Sequence, residues 1–210
     1  MSILPKLASS LNRKDELPNQ ELAKEIVIKK DKAAVKELVE HLNGSKSVQN
    51  DCIKVLYEIG AQEASLIAPY LSDFVEHLSS KNNRLQWGAM TALGTITSVE
   101  PKLIYELLPQ ILTAANKGSV ITKDHAVNIL IQLCSNANYA TASFPLLSEQ
   151  LLKCPTNQLP MYAERTLPIV DKEKAETFVN TLQLRLPEVD KDSKRKRIEK
   201  VIQKLQKSFV

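Results

Sequence analysis

The sequence predicts an all-α solenoid of about five helical hairpins, and three observations lead there. Small and apolar residues recur at a step of 37 along most of the chain. Within each step they are spaced i, i+4, i+7, which is one face of an α-helix. Glycine is scarce, 5 of 210 residues, and no segment alternates apolar and polar residues for the length of a strand.

The step is clearest in three columns. Cys52, Ala89, Ala126 and Ala163 form a small column; Leu56, Leu93, Leu130 and Leu167 form a second; Ile59, Ile96, Leu133 and Val170 form a third. A shorter echo, LVEHL at 38–42 and FVEHL at 74–78, lies one repeat apart in the first half. Each repeat divides into two helices. The first helices are expected at Ala33–Leu42, Tyr70–Leu78, Leu107–Ala115 and Leu146–Leu152, and the second at Val48–Ile59, Leu85–Ile96, Thr122–Leu133 and Leu159–Val170. This sets repeats at 31–66, 67–103, 104–140 and 141–177 within one domain of 1–210.

The punctuation agrees with that division. Gly44 and Gly118 fall between helix partners, where a left-handed C-terminal residue favours glycine. Pro69 and Pro145 precede first-helix runs, Pro109 sits in or kinks a first turn, and Ser47 and Thr122 are expected N-caps. The ends should behave as caps covering the terminal repeats. At the front, 1–30 comprises a lead-in, Met1–Leu17, and an amphipathic helix with Leu22, Ala23, Ile26 and Val27 on one side. At the back, 178–210 comprises a short hairpin whose second helix places Ile198, Val201, Ile202 and Leu205 on one side and Lys and Arg on the other.

Paired helices at this period, with segments such as WGAMTALGTI (87–96) and DHAVNILIQL (124–133), resemble HEAT repeats of the armadillo-like superfamily. The resemblance covers about residues 31–180. It implies a right-handed α-α superhelix whose second helices line a concave surface. One departure is that the Asp and Arg ladder common in HEAT repeats does not recur here in register. The fold hosts many unrelated roles, so function has to be argued from the site.

Net charge is +4, unevenly placed. Residues 191–207 hold eight basic and two acidic residues, whereas 67–170 hold seven of each. A neutral middle is a poor nonspecific phosphate binder. The basic C-terminal helix reads as a solvated capping face, with docking to an acidic partner, nucleic acid or an anionic membrane as competing roles; no aromatics are interleaved to stack on bases. Cys52, Cys134 and Cys154 form no metal-binding or redox motif and read as buried reduced thiols, consistent with a cytoplasmic protein. No secretory leader is evident, and the uncharged run 126–148 is too polar to span a bilayer.

No phosphate loop, GxSxG or HExxH is present. His41 and His77 occupy matching places in the two echoes, which suggests a structural role in the first helix. The expectation is therefore no enzyme, no cofactor and no metal. If the register holds, Lys54, Trp87, Asp124, Asn128, Tyr162 and Arg165 lie along the inner surface of the second helices. Trp, Tyr and Arg are the types enriched at binding hot spots. The competing reading is packing, with Trp87 against the preceding repeat and Tyr162 filling the space at Gly88.

The leading expectation is a monomeric, non-enzymatic scaffold binding a protein or peptide on that surface. The alternative is a nucleic-acid-binding protein related to the HEAT-like DNA glycosylases of alkylated bases, with Trp87, Asp124 and Arg165 cast in its roles. The neutral centre and single Trp weigh against it. A third role, acting on a cofactor-bearing client as some HEAT-like lyase subunits do, has no handle in the sequence.

Overall fold

A computed structural model describes residues 2–208. Met1, Phe209 and Val210, the outer ends of the two expected caps, lie outside the described residues. Among the described residues there are α-helices and 3-10 turns and no strand. The chain divides into two compact units, one up to Ala126 and the other from Val127.

The first unit contains α1 (Leu17–Lys29), α2 (Lys32–Glu40), α3 (Lys46–Gln62), α4 (Leu71–Glu76), α5 (Asn83–Ile96), α6 (Pro101–Glu106), α7 (Leu108–Lys117) and the start of α8 (Val120–Cys134). In the first two repeats the expected first helix is followed by its second and packs on it: α2 on α3, α4 on α5. The second helices α3 and α5 also pack on one another, and the cap helix α1 packs on α3. This double pairing, to the hairpin partner and to the next hairpin, stacks α1, α3 and α5 side by side. Both α2 and α4 tighten into a 3-10 turn at His41 and His77, the repeated histidines. His41 donates from Nδ1 to the Glu37 carbonyl oxygen at 2.8 Å, closing the helix it ends.

The repeat columns are core. Cys52, Ala89, Ala126 and Ala163 are buried, as are Leu56, Leu93 and Leu130, and Ile59, Ile96, Leu133 and Val170. Leu167 departs from its column. It starts a 3-10 turn with Pro168 in it and is half-buried, and Thr166 is buried one position earlier. Pro168 cannot donate to the helix ladder, so the winding tightens locally at Leu167 and the columns resume at Val170.

Two glycines set the spacing of α3 and α5. A Cβ on Gly88 would lie 2.6 Å from Ile53 Cγ1, and one on Gly60 would lie 2.5 Å from Ile67 Cδ1 and closer still to Thr95. Neither space tolerates a methyl group without movement of its neighbour. Ile53, not Tyr162, therefore fills the space at Gly88.

Several expected termini are corrected. Gly44 and Gly118 have φ of −78° and −85°, so neither is a left-handed cap. The left-handed residues are Asn12 and Lys30. Ser47 lies inside α3, whose N-cap is Ser45, and Thr122 lies buried inside α8, where its amide is capped by Ser119 Oγ. Pro145 does not start its helix but sits within it, because α9 begins earlier, at Ala140.

The lead-in is built into the fold. Residues Leu4–Lys6 form a 3-10 turn, and Ile3, Leu7 and Ala8 are buried. Two carboxylates hold it. Glu37 accepts from the Ile3 amide at 3.1 Å and from the Ser2 hydroxyl. Asp51, itself buried, accepts from the Ser9 amide and from Asn19 Nδ2, each at 2.8 Å.

The second unit contains the rest of α8, then α9 (Ala140–Lys153), α10 (Leu159–Thr166), α11 (Lys172–Arg185) and α12 (Asp192–Ser208). Here α9 packs on α11 and α10 on α12, and α11 pairs with α12 as a hairpin. The predicted stripe Ile198, Val201, Ile202, Leu205 is buried, together with Phe178 and Leu182 from α11.

Candidate functional site

Within the first unit, one face of the stacked helices α1, α3 and α5 gathers charge and aromatic rings. Lys54 and Tyr57 are one turn apart on α3, and Arg84 and Trp87 one turn apart on α5, so each pair shares a helix face. The Tyr57 and Trp87 rings meet at 5.8 Å between centroids, tilted by 44°, a favourable edge-and-face geometry. Lys54 Nζ lies 4.9 Å above the Tyr57 ring, within cation–π range. The Asn82 side-chain amide, the N-cap of α5, donates to Gln49 and Asn50 on α3.

Glu16, the residue just before α1, closes this cluster. Its Oε2 is 2.8 Å from Lys54 Nζ, and its Oε1 accepts from Arg84 Nη2. Lys54 is also 2.6 Å from Glu58 Oε1. Burial works against the Lys54 charge, but the bonds to Glu16 and Glu58 outweigh it and hold the ammonium above the usual lysine range. The bond from Lys54 in turn holds the Glu16 carboxyl below the usual carboxylate range. Burial pushes the Tyr57 hydroxyl up.

In the second unit, Arg165 on α10 is exposed and donates from Nη1 to Asn128 Oδ1 on α8 at 3.1 Å. Those residues are 37 apart, one repeat step. Beside them, Arg197 on α12 forks onto Glu164 on α10, with Nε 2.7 Å from Oε1 and Nη2 on Oε2.

Two of the six candidate surface residues are corrected. Lys54 is only 5% exposed, since its charge is consumed within its own unit by two carboxylates. Tyr162 is 1% exposed, because its place on α10 turns the ring into the core beside Ala163. Arg165 is exposed, and Trp87, Asp124 and Asn128 are half-buried. Trp87 and the Lys54 cluster lie in the first unit together with Asp124, whereas Asn128 and Arg165 belong to the second. Sequence reasoning missed Glu16 and Arg84, which lie outside the repeat columns it followed.

The three cysteines are buried and unpaired with one another. Burial pushes the thiols of Cys52 and Cys134 up to about 12 and raises that of Cys154, so all three remain protonated and weakly nucleophilic at neutral pH. Among the described residues no group of three or more His, Cys, Asp or Glu could hold a metal ion, and no helix is long and apolar enough to cross a membrane. A groove of about 760 Å³ lies between α4 and α7; Val75, Leu78, Pro109 and Ala114 line it, with Glu76, Gln86 and Lys117 among its polar residues.

No family model matches the sequence, and no curated protein matches it. Two crystal structures of engineered proteins are similar in fold. Each reaches a TM-score of 0.63 at 19% identity over 99% of this chain, which corresponds to 100% of one engineered chain and 98% of the other. At that identity the likeness speaks for the fold alone.

Proposed function

We propose that this chain is a non-enzymatic, cytoplasmic, monomeric binding module of the HEAT-like kind, and that its second helices present the face that takes a protein or peptide. The observation that carries the reading is Trp87. It is half-buried on Tyr57, so it is held rigid, and one turn away on the same helix stands the part-exposed guanidinium of Arg84. Rigid aromatics beside arginine are the composition of protein-binding hot spots. Within the second unit, taken by itself, Arg165 on α10 is an exposed guanidinium of the same residue type.

Nucleic-acid binding is the competing reading, and the charge of the second unit is what favours it. The stretch 127–210 has thirteen basic and nine acidic residues, the whole net +4 of the chain. Much of that charge is engaged, however: Lys153, Lys174, Arg185, Arg195 and Arg197 each have a carboxylate partner.

The test is affinity capture with the full chain against Trp87→Ala and Arg165→Ala, with helicity followed by circular dichroism. Loss of one specific protein from a still-helical variant supports the reading. Equal capture by a folded double variant overturns it. A steep loss of oligonucleotide binding with added salt would favour nucleic acid instead.

A further inference from the structure

The carboxylate of Glu16 is an imperfect match for the cations it joins. Two arginines elsewhere in the molecule, Arg13 on Asp15 and Arg197 on Glu164, meet their carboxylate through both Nε and Nη2. That fork is the strong geometry for a guanidinium. Glu16 cannot supply it to Arg84, because its two oxygens are split, one to Lys54 and one to Arg84. Arg84 Nε is left buried and without a hydrogen-bond partner. A buried donor without an acceptor is a cost that a better-placed carboxylate would remove.

Glu16 is also poorly anchored. It is the residue preceding α1, yet its side chain makes no capping bond to that helix. Its side chain is 40% exposed, as against 7% for Lys54. Lys54 does not depend on it alone, since Glu58 and the Tyr57 ring remain if Glu16 leaves. The geometry points to an exchangeable bond: Lys54 and Arg84 form a receptor for an acidic side chain of a protein partner, and Glu16 occupies it from within the chain. This rests on the binding-face reading above and gives that face a partner chemistry, a Glu- or Asp-rich segment.

The surroundings suit such a segment. Withdrawing Glu16 removes one negative charge from a group of two cations and two carboxylates, so the vacated site is cationic. Trp87, one turn along α5 from Arg84, offers an apolar shelf to the residue beside the incoming acid. The internal carboxylate then sets a threshold. A competing ligand sees only the fraction of molecules in which Glu16 is away, and its apparent affinity falls by that fraction.

The experiment is fluorescence anisotropy of a short fluorescein-labelled Glu-rich peptide titrated with the full chain. Glu16→Gln should tighten binding by about tenfold, the gain expected if Glu16 occupies the site some nine-tenths of the time. Arg84→Gln added to Glu16→Gln should abolish the gain, and Trp87→Ala in that background should weaken binding. If Glu16→Gln loses helicity, Glu16→Asp, which keeps the charge but is too short to reach both cations, should show the same gain. Unchanged affinity in either folded variant overturns the proposal, as does a gain that survives Arg84→Gln. So does an oligonucleotide that gains from Glu16→Gln where the peptide does not. If partner capture still requires Trp87 while peptide affinity ignores Glu16, the receptor fails and the binding face stands.

Discussion

Arg185, the last residue of α11, donates from Nη1 to the carbonyl oxygen of Leu151 near the end of α9, at 2.7 Å. The same nitrogen reaches Leu152 O at 2.7 Å, and Nη2 reaches Cys154 O at 2.9 Å. The final carbonyls of a helix have no partner within it. Here one buried guanidinium closes the end of α9 and ties it to α11. Arg185→Ala should therefore destabilise the fold by about 1.5–3 kcal/mol, the range for hydrogen bonds to a charged group. Arg185→Lys should recover only part of this, because a point charge cannot reproduce the planar fork. Urea unfolding of the three proteins decides it; an alanine variant within experimental error of the parent would refute the role.

Asp51 holds the lead-in down. Its oxygens accept from the Ser9 amide and from Asn19, which in turn accepts from the Ala8 amide at 3.0 Å. Replacing Asp51 by Ala strands a part-buried backbone amide and a buried side-chain amide together. The expected loss is about 1–3 kcal/mol. It should be local as well as global: hydrogen exchange at Ser9 should lose protection well before that of α5. Uniform loss of protection across the first unit would contradict a fastening role.

The repeat is where the sequence was most legible. Twelve column positions were named from spacing alone, and eleven of them are buried. The exception, Leu167, follows from Pro168 and a 3-10 turn. The same arithmetic placed Asn128 and Arg165 in one column, and their side chains touch. What it could not give is which polar positions spend their charge inside the chain. Lys54 sits in that column too, but its partner Glu16 lies 38 residues upstream, outside any repeat. Arg185 was opaque for a related reason: its partners are backbone carbonyls, which leave no trace in side-chain pattern. Gly88 was legible as a small space but its occupant was not, because Ile53 across α3 is one repeat away in sequence and carries no signal of the contact.

That glycine gives a third prediction. Gly88→Ala places a methyl group 2.6 Å from Ile53 Cγ1. Overpacking of this sort costs about 1–3 kcal/mol, which exceeds the roughly 1 kcal/mol that alanine gains over glycine in a helix. The net effect should be destabilising. Ile53→Ala removes Cγ1 and Cγ2, the two atoms nearest that methyl group, and should relieve the penalty, so the two substitutions should couple favourably in a double-mutant cycle. Strict additivity would mean that α3 and α5 shift apart freely and that Gly88 does not set their distance.

A last prediction concerns acid. His77 ends α4, and burial holds its imidazole below the usual histidine range, with Glu76 and Asp73 opposing to a lesser degree. In the unfolded chain it titrates near its ordinary value of 6.5. Between the two values the unfolded state binds the proton and the folded state does not, so stability falls as pH drops through about 6.5. The carboxylate at Glu16 acts in the same sense but lower on the scale. Its lowered value keeps its contribution intact above the ordinary carboxyl range and loses it only in stronger acid. Denaturant midpoints measured from pH 7.5 to 5 should therefore decline in the parent and decline less in His77→Gln, which keeps a neutral polar group there. Parallel profiles for the two proteins would show that His77 is not the group responsible.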